Sequence, residues 1–472
     1  MTIDKDGFEA ALKTAQKLAQ DGSKYKNLEL FSKSADELED VLRVHGTTKF
    51  IGYEAFAGRS KILAILKNAE ATTTATEGDQ VQLVLETTPF YAEGGGQVGD
   101  MGMIEWEGGA AIVGNTKKTP QGIYLHDAQI LRGTLRLEMG IDAHVNMARL
   151  DSQRHHTATH LLQAAMRAAL GAHVQQRGSL VTPERLRFDF TNDEAVSSEQ
   201  IANIELLVNR WIEANFQVSY AFMPIDEARA TGAMALFGEK YGDIVRVVSV
   251  DGNISSIGVL DHVTQISSKE LCGGTHVGNT GEIGAFVIVS EEGVAAGVRR
   301  IEALCGETAT RYIRENLERI REVSRGLNAT SETLIERIEK MQDELKAANK
   351  QIADLKSQLV RAQTAGGASA DNLELGGFKI ARLALEGVGG NELRAAADDL
   401  MDKTRADIVV VGSEGGLVVK ASKEAVARGA HAGNLIGKLA VAGGGKGGGR
   451  PDMAQAGVKD VAGALGALEG AF

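Results

Sequence analysis

Two short stretches hold the residue types most able to do chemistry. RHHTATH carries His156 and His160, and LCGGTH carries Cys272 and His276, each pair four residues apart. The first pair opens a run in which Leu161, Leu162, Ala165, Met166, Ala169 and Leu170 recur at helical spacing. Residues four apart share one face of a helix, so both imidazoles can reach one ion. The second pair lies in a glycine-rich turn just ahead of IGAFVIV, which reads as a strand. Three imidazoles and a thiolate suit Zn²⁺, which takes Cys and His ligands tetrahedrally. Either spacing alone arises often by chance. Together, in a chain with ten His and two Cys, they point to one shared metal site. The alternative is two unrelated core histidines and a buried thiol.

To bring two remote segments onto one ion, the chain needs an extended scaffold. Its 472 residues suggest about three domains. Hydrophobic content of 43% and charged content of 24% are those of a globular protein. No apolar run approaches the roughly 20 residues of a membrane span, and MTIDKDGFEAALK lacks a signal peptide's apolar core. Two cysteines cannot make a disulfide framework, which points to a reducing, cytoplasmic setting. A net charge of −12 argues against a surface coated for nucleic acid. It leaves room for a local basic groove, because phosphate contacts depend on where Lys and Arg sit.

The pattern predicts a multidomain α/β and α+β chain. Residues 1–30 read as a helix, with Phe8, Ala11, Leu12, Ala15 and Leu18 in one stripe that closes an upstream domain or covers the next one. Over 31–148, short β-like runs punctuated by Gly, Pro and Asp predict a small, largely antiparallel β-barrel. Inside it, FYAEGGGQVGDMG sets Gly94, Gly95 and Gly96 in a row, either a loop that approaches a ligand closely or a tight turn. Residues 149–304 read as an α/β domain, with helices on one side of a mixed sheet uniting the ligand pairs. Over 305–365, Ile338, Met341, Leu345, Ala348, Ile352, Leu355 and Leu359 alternate three and four apart, a heptad. With a break over 326–331, this predicts a helical hairpin or coiled-coil arm. Residues 372–472 alternate strand and helix as a compact α/β module. There GGGKGGGRPDMAQAG offers Lys446 and Arg450 among bare backbone amides, a phosphate cradle or a structural loop.

With these residues laid out, the chain resembles the C-terminal half of alanyl-tRNA synthetase. The matching pieces run in that family's order: GFEAALKTAQ, FIGYE, FYAEGGGQVGDMG, RHHTATHLL with HVQQRGSLV, ELCGGTHVGNTGEIGAF with GVRRIEA, the helical arm, and GGGKGGGRPDMAQAG. The resemblance is to the part of the family that follows its class II aminoacylation domain, for which no counterpart is expected here. The resemblance therefore implies a piece of a longer synthetase, or a free-standing alanyl-tRNA editing protein of the long type. The implied activity is zinc-dependent hydrolysis of mischarged Ser-tRNA(Ala) and Gly-tRNA(Ala), with alanine–tRNA ligase activity only in a full-length chain.

The resemblance also assigns residues. His156, His160, Cys272 and His276 map one by one onto the editing zinc motif, and Thr157 and Gln176 (in QRGS) fall in the substrate pocket. Gly94–Gly96, Arg299 and Arg300 fall near the acceptor stem of tRNA(Ala); a salt-bridged or solvated pair is the plainer reading of the two arginines. Lys446 and Arg450 fall in a DHHA1-type module that holds the tRNA's outer corner, and the arm with that module implies a homodimer. Four protein ligands describe a closed zinc, whereas catalytic zinc keeps an open position. Either one ligand, such as His276, stays off the ion, or the shell expands when the ester arrives. No HExxH glutamate follows His156, which argues against a peptidase, and the lack of an Asp-His-His core argues against a DHH phosphoesterase. The competing expectation is a non-catalytic tRNA-binding and dimerisation fragment with a structural zinc.

Overall fold

The computed structural model describes residues 35–235, 241–254, 265–365 and 370–472. The helix expected over 1–30 lies outside the described residues. The chain divides into two compact units, one reaching to Arg319 and one running from Ile320 to Phe472.

The first unit begins with a closed barrel. Six strands follow one another around it: Ala57–Lys67, Gln80–Leu85, Tyr124–Arg132, Gly109–Lys118, Gly102–Trp106 and Gly140–Val145, the last pairing back to the first. Every neighbouring pair is antiparallel. Period-two alternation turns Val81, Leu83, Leu85, Ile104, Ala111, Val113, Ala128, Ile130 and Ile141 into one core. Leu38 and Val41 of the helix Ala35–His45 cover Leu63, Leu66 and Leu125 on the outer side. Closure leaves the barrel without a free edge.

The strand Tyr124–Arg132 escapes the sequence pattern, because His126, Asp127 and Gln129 interrupt its apolar residues. Fully buried His126 is held from both sides. Its Nδ1 lies 2.9 Å from the Leu83 carbonyl oxygen and its Nε2 2.8 Å from Thr88 Oγ1. Burial holds the ring neutral, pushing its pKa from 6.5 down to about 4. Above pH 6.5 the folded and unfolded chains are both neutral here, so its contribution is fully present. As pH falls from 6.5 towards 4 only the unfolded chain takes up the proton, and stability drops by about 1.36 kcal/mol per pH unit, about 3 kcal/mol in all. The urea midpoint followed through tryptophan emission is expected to fall over that window, and less steeply in His126→Gln. Parallel profiles for the two chains would remove His126 from this account.

Beyond the barrel, the helix Arg149–Leu170 packs with the helix Ser198–Glu213 over a four-stranded sheet. That sheet runs Gln176–Val181, Leu186–Thr191, Val298–Cys305, Phe286–Ala295. Leu161, Leu162, Met166, Phe188, Phe190, Trp211 and Ile301 make its core. A capping box of Ser197 and Gln200 starts the second helix. A separate three-stranded sheet, Val218–Pro224, Ile244–Asn253 and Gln265–Leu271, ends at the LCGGTH turn. The single mixed sheet expected here is therefore two antiparallel ones. Short turns such as 182–185 and 296–297 can join only antiparallel neighbours.

In the second unit, the long helix Leu334–Ala365 carries its heptad stripe exposed, including Leu345, Ile352 and Leu355. A six-stranded sheet follows, in the order Asp371–Leu375, Phe378–Ala384, Ile408–Ser413, Gly416–Ala421, Met453–Gly457, Lys446–Gly449. The helix Gly390–Thr404 crosses over between the one parallel pair. Val409, Val411 and Val418 face a core shared with that helix; Ile408, Val410 and Val419 face the helix Ala432–Ala442. Burial on both faces explains the unbroken IVVV run.

Here GGGKGGGRP departs from expectation. It is a hairpin rather than an irregular loop, Lys446–Gly449 paired antiparallel with Met453–Gly457 at the sheet edge. Its glycines are needed for close approach: a Cβ on Gly447 would sit 2.2 Å from that of Ala456. Among the described residues, no helix is long and apolar enough to cross a membrane.

Candidate metal centre

The ligand helix starts where the barrel ends. Arg149 in its first turn is almost fully buried and donates to the carbonyl oxygens of Gly52 and Pro89 and to the Asp100 carboxylate. The Asp100 carboxylate also accepts from the Tyr91 amide at 2.7 Å. This knot fixes the helix against the barrel and aims His156 and His160 along one face. Their neighbour His155 points elsewhere: its Nε2 accepts from the Cys305 amide at 3.0 Å, and burial lowers its pKa to about 4. It is a structural histidine.

All four sequence-assigned ligands converge. One donor atom from each of His156, His160, Cys272 and His276 lies within 4.8 Å of the others. Cys272 Sγ is 3.3 Å from Nε2 of both His156 and His276. A tetrahedral zinc with Zn–S of about 2.3 Å and Zn–N of about 2.0 Å spans S···N edges of about 3.5 Å, close to those separations. Burial would raise the Cys272 thiol, but the rings of His156 and His276 hold it well below the ordinary range, as thiolate. Gly274 lets the turn close over the first ring, since a Cβ there would meet His156 Cε1 at 2.0 Å.

Each imidazole is also gripped at its far nitrogen. His156 Nδ1 is 2.8 Å from Gln97 Oε1, and the Gln97 amide nitrogen donates to Thr275 Oγ1 at 2.8 Å. His160 Nδ1 is 3.6 Å from Glu270 Oε2, and His276 Nδ1 is 3.1 Å from Thr157 Oγ1. Such partners fix ring orientation and leave each Nε2 for the ion. The donor set, its spacing and this outer shell fit Zn²⁺.

His156, His160 and Cys272 of the cluster line a cavity of about 460 Å³, walled on one side by barrel residues Tyr53, Tyr91 and Lys118 and on the other by Gln176 and Arg246. Arg246 Nη1 donates to the carbonyl oxygens of Cys272 (3.1 Å) and Gly274 (2.8 Å), and its buried Nε has no hydrogen-bond partner among the described residues. Its guanidinium lies over the rings of Tyr53 and Tyr220, at 4.0 and 4.2 Å. Tyr53 in turn donates to the Gly273 carbonyl at 2.8 Å.

The other assigned residues divide. Gln176, Gly94 and Gly95 line the cavity. The glycines also form the tight turn: Gly94 and Gln97 exchange backbone hydrogen bonds, and Gly95 and Gly96 take φ of 57° and 82°. Gly96 fits against the Ser179 carbonyl, where a Cβ would come within 2.7 Å. Thr157 is not in the pocket wall; it is buried behind His276 and positions that ring. Arg299 and Arg300 lie on the four-stranded sheet and make two-pronged contacts to Glu291 and Asp189. They are the salt-bridged residues of the plainer reading. In the second unit Lys446 is exposed on the edge strand, and Arg450 pairs with Asp452 at 3.2 Å. Gln97, Glu270, Thr275 and Arg246 were not singled out by the sequence, although Gln97 follows the Gly94–Gly96 run and Glu270 stands two residues before Cys272.

Residues 1–149 match the family model of class II (A) tRNA synthetases, 245–302 the threonyl and alanyl tRNA synthetase second additional domain, and 377–471 the DHHA1 domain. An alanine–tRNA ligase of Deinococcus radiodurans is 53% identical over 473 residues, covering 100% of this chain and 52% of that protein. One of Thermus thermophilus is 46% identical over 468 residues, covering 99% and 52%. The chain thus spans about half the length of the curated relatives it matches. A crystal structure of the C-Ala domain from Aquifex aeolicus alanyl-tRNA synthetase is 30% identical, covers 21% of this chain and 96% of that one, and has a TM-score of 0.20.

Proposed function

The chain belongs to the alanyl-tRNA synthetase family, and from that premise we propose that its His156–His160–Cys272–His276 cluster holds Zn²⁺ in a site that hydrolyses serine and glycine esters of tRNA(Ala). The observation that carries this reading is the cavity: the cluster opens onto about 460 Å³ of partly polar space, whereas a structural zinc is closed off. The need is physical. A pocket sized for alanine discriminates poorly against glycine, one methyl smaller, and serine, one hydroxyl larger. A second site must then test the product already attached to RNA.

In the reaction, water adds to the ester carbonyl and the bond to the terminal ribose oxygen breaks. Free amino acid leaves, and the ribose hydroxyl regains its proton. Bound Zn²⁺ supplies an anchor for the amino acid or polarisation of its carbonyl. The protein's part is to orient. Gln97, Glu270 and Thr157 hold the three rings, and Arg246 holds the backbone of the ligand turn. The Gln176 amide can bond the ester or the amino group and cannot serve as a base.

In this reading the Gly94–Gly95 turn meets the acceptor end at the cavity mouth, and exposed Lys446 meets phosphate in the C-terminal module. Arg299, Arg300 and Arg450 would reach phosphate only by exchanging a carboxylate for it. The exposed heptad stripe is where a second copy would pack.

The deciding experiment is deacylation of Ser-, Gly- and Ala-tRNA(Ala) by the chain at catalytic concentration. Serine and glycine esters should be cleared, alanine esters spared, and a chelator should stop the reaction. Failure to clear any ester with zinc bound would leave the non-catalytic, structural-zinc reading instead. A companion expectation concerns Gln97→Ala, which frees the His156 ring without touching a ligand. Zinc affinity should fall about ten- to a hundredfold, as measured by competition with a metal indicator. Unchanged affinity would show that Gln97 plays no part in holding the ring.

A further inference from the structure

One surface beside the cavity is used by nothing described so far. The strand Val218–Pro224 forms the edge of the three-stranded sheet, and Phe222 and Tyr220 stand on one face of it, 60% and 41% exposed. Arg246 is Phe222's cross-strand partner on that face. The rings touch in series: Phe222 lies 6.1 Å from Tyr220 and 6.4 Å from Tyr53, centroid to centroid. Tyr53 donates to Gly273, next to Cys272. The ledge is therefore continuous with the cavity wall and one ring removed from the ligand turn.

Its chemistry selects an occupant. Exposed aromatic faces that lead into a cavity bearing cations are how proteins hold unpaired nucleotides, with bases on rings and phosphates on Lys or Arg. Among the described residues, the cations at this mouth are Arg246, over Tyr53 and Tyr220, and Lys118, 5.3 Å from the Tyr124 centroid. Among the described residues, the carboxylates lining the cavity are Glu93 and Glu270, of which Glu270 faces His160, and Glu54 beside the ledge accepts from Tyr220 Oη at 3.4 Å. We infer that Phe222 and Tyr220 seat the unpaired 3′-terminal base of an RNA, while Lys118 meets its phosphate and the charge of Arg246, buried beneath the rings, favours the backbone's approach. The seat anchors the terminal nucleotide beside the cluster and so contributes to binding. This inference rests on the deacylase reading for its purpose, but the seat can be read by binding alone.

The probe is a tRNA(Ala) transcript, uncharged, with 2-aminopurine as its 3′-terminal base, whose emission is quenched on stacking. Binding to the full chain should quench it. Phe222→Ala should remove most of the quench and weaken binding about tenfold, the order of one base–aromatic stack. Phe222→Tyr should restore both, and Phe222→Leu, apolar but without a ring, should not. In deacylation, Phe222→Ala should raise KM by a similar factor with little change in kcat. Quenching that survives Phe222→Ala would overturn the inference. So would an unquenched probe on the unaltered chain, the result expected if this edge takes a protein strand instead. If the quench behaves as stated and no ester is cleared, the deacylase reading fails while the seat stands.

Discussion

Cys272→Ala is expected to yield a folded chain that binds no zinc and clears Ser-tRNA(Ala) more than about a hundredfold more slowly, beyond the ten- to hundredfold cost of losing an outer partner. The thiolate is the one anionic ligand of the four, and it lies 3.3 Å from two of the imidazoles. Without it, three imidazole rings crowd one point with only Nε2 atoms to offer. Folding should survive, because the residue is partly exposed at a strand end and its backbone is tied by Arg246. Metal content by elemental analysis and deacylation rate are measured on the same sample. An undiminished rate in a zinc-free variant would take the metal out of the mechanism.

The second large effect is structural. Arg149→Met should lower stability by about 3–5 kcal/mol, the range for breaking a buried ion pair from one side. The Asp100 carboxylate, 6% exposed, then keeps only the Tyr91 amide, and the carbonyls of Gly52 and Pro89 lose their donor. Adding Asp100→Asn to that variant removes the stranded charge and should recover part of the loss. Urea unfolding of the single and double variants tests this. Strict additivity would show that the two side chains act independently.

Much of this was legible in the sequence for definite reasons. Ligands four apart on a helix and in a turn are visible because the metal dictates residue type. The barrel is visible because alternation survives in strands such as Gln80–Leu85. Legibility ended where a residue's role depends on a partner remote in sequence. Gln97 reads as one polar residue after three glycines, and only the fold sets it 2.8 Å from His156. Arg246 sits in an ordinary apolar strand, DIVRVVSV. Conversely, the sequence leaves Arg299 and Arg300 open between an RNA contact and a salt-bridged or solvated pair, and the sheet register supplies Glu291 and Asp189 to neutralise them. Lys446 drew notice for its glycines, which accommodate alanines across a hairpin.

The Gln97 contact has a consequence for any attempt to graft this chemistry onto another scaffold. A cassette cut at residue 149 would carry all four ligands and the strands beneath them, yet leave behind the amide that stops one imidazole from spinning. Tyr53 and Lys118 would be left behind with it. The transplantable module is therefore the barrel and the helical lobe in tandem, and a chimera that keeps only the second inherits a metal trap without its aim.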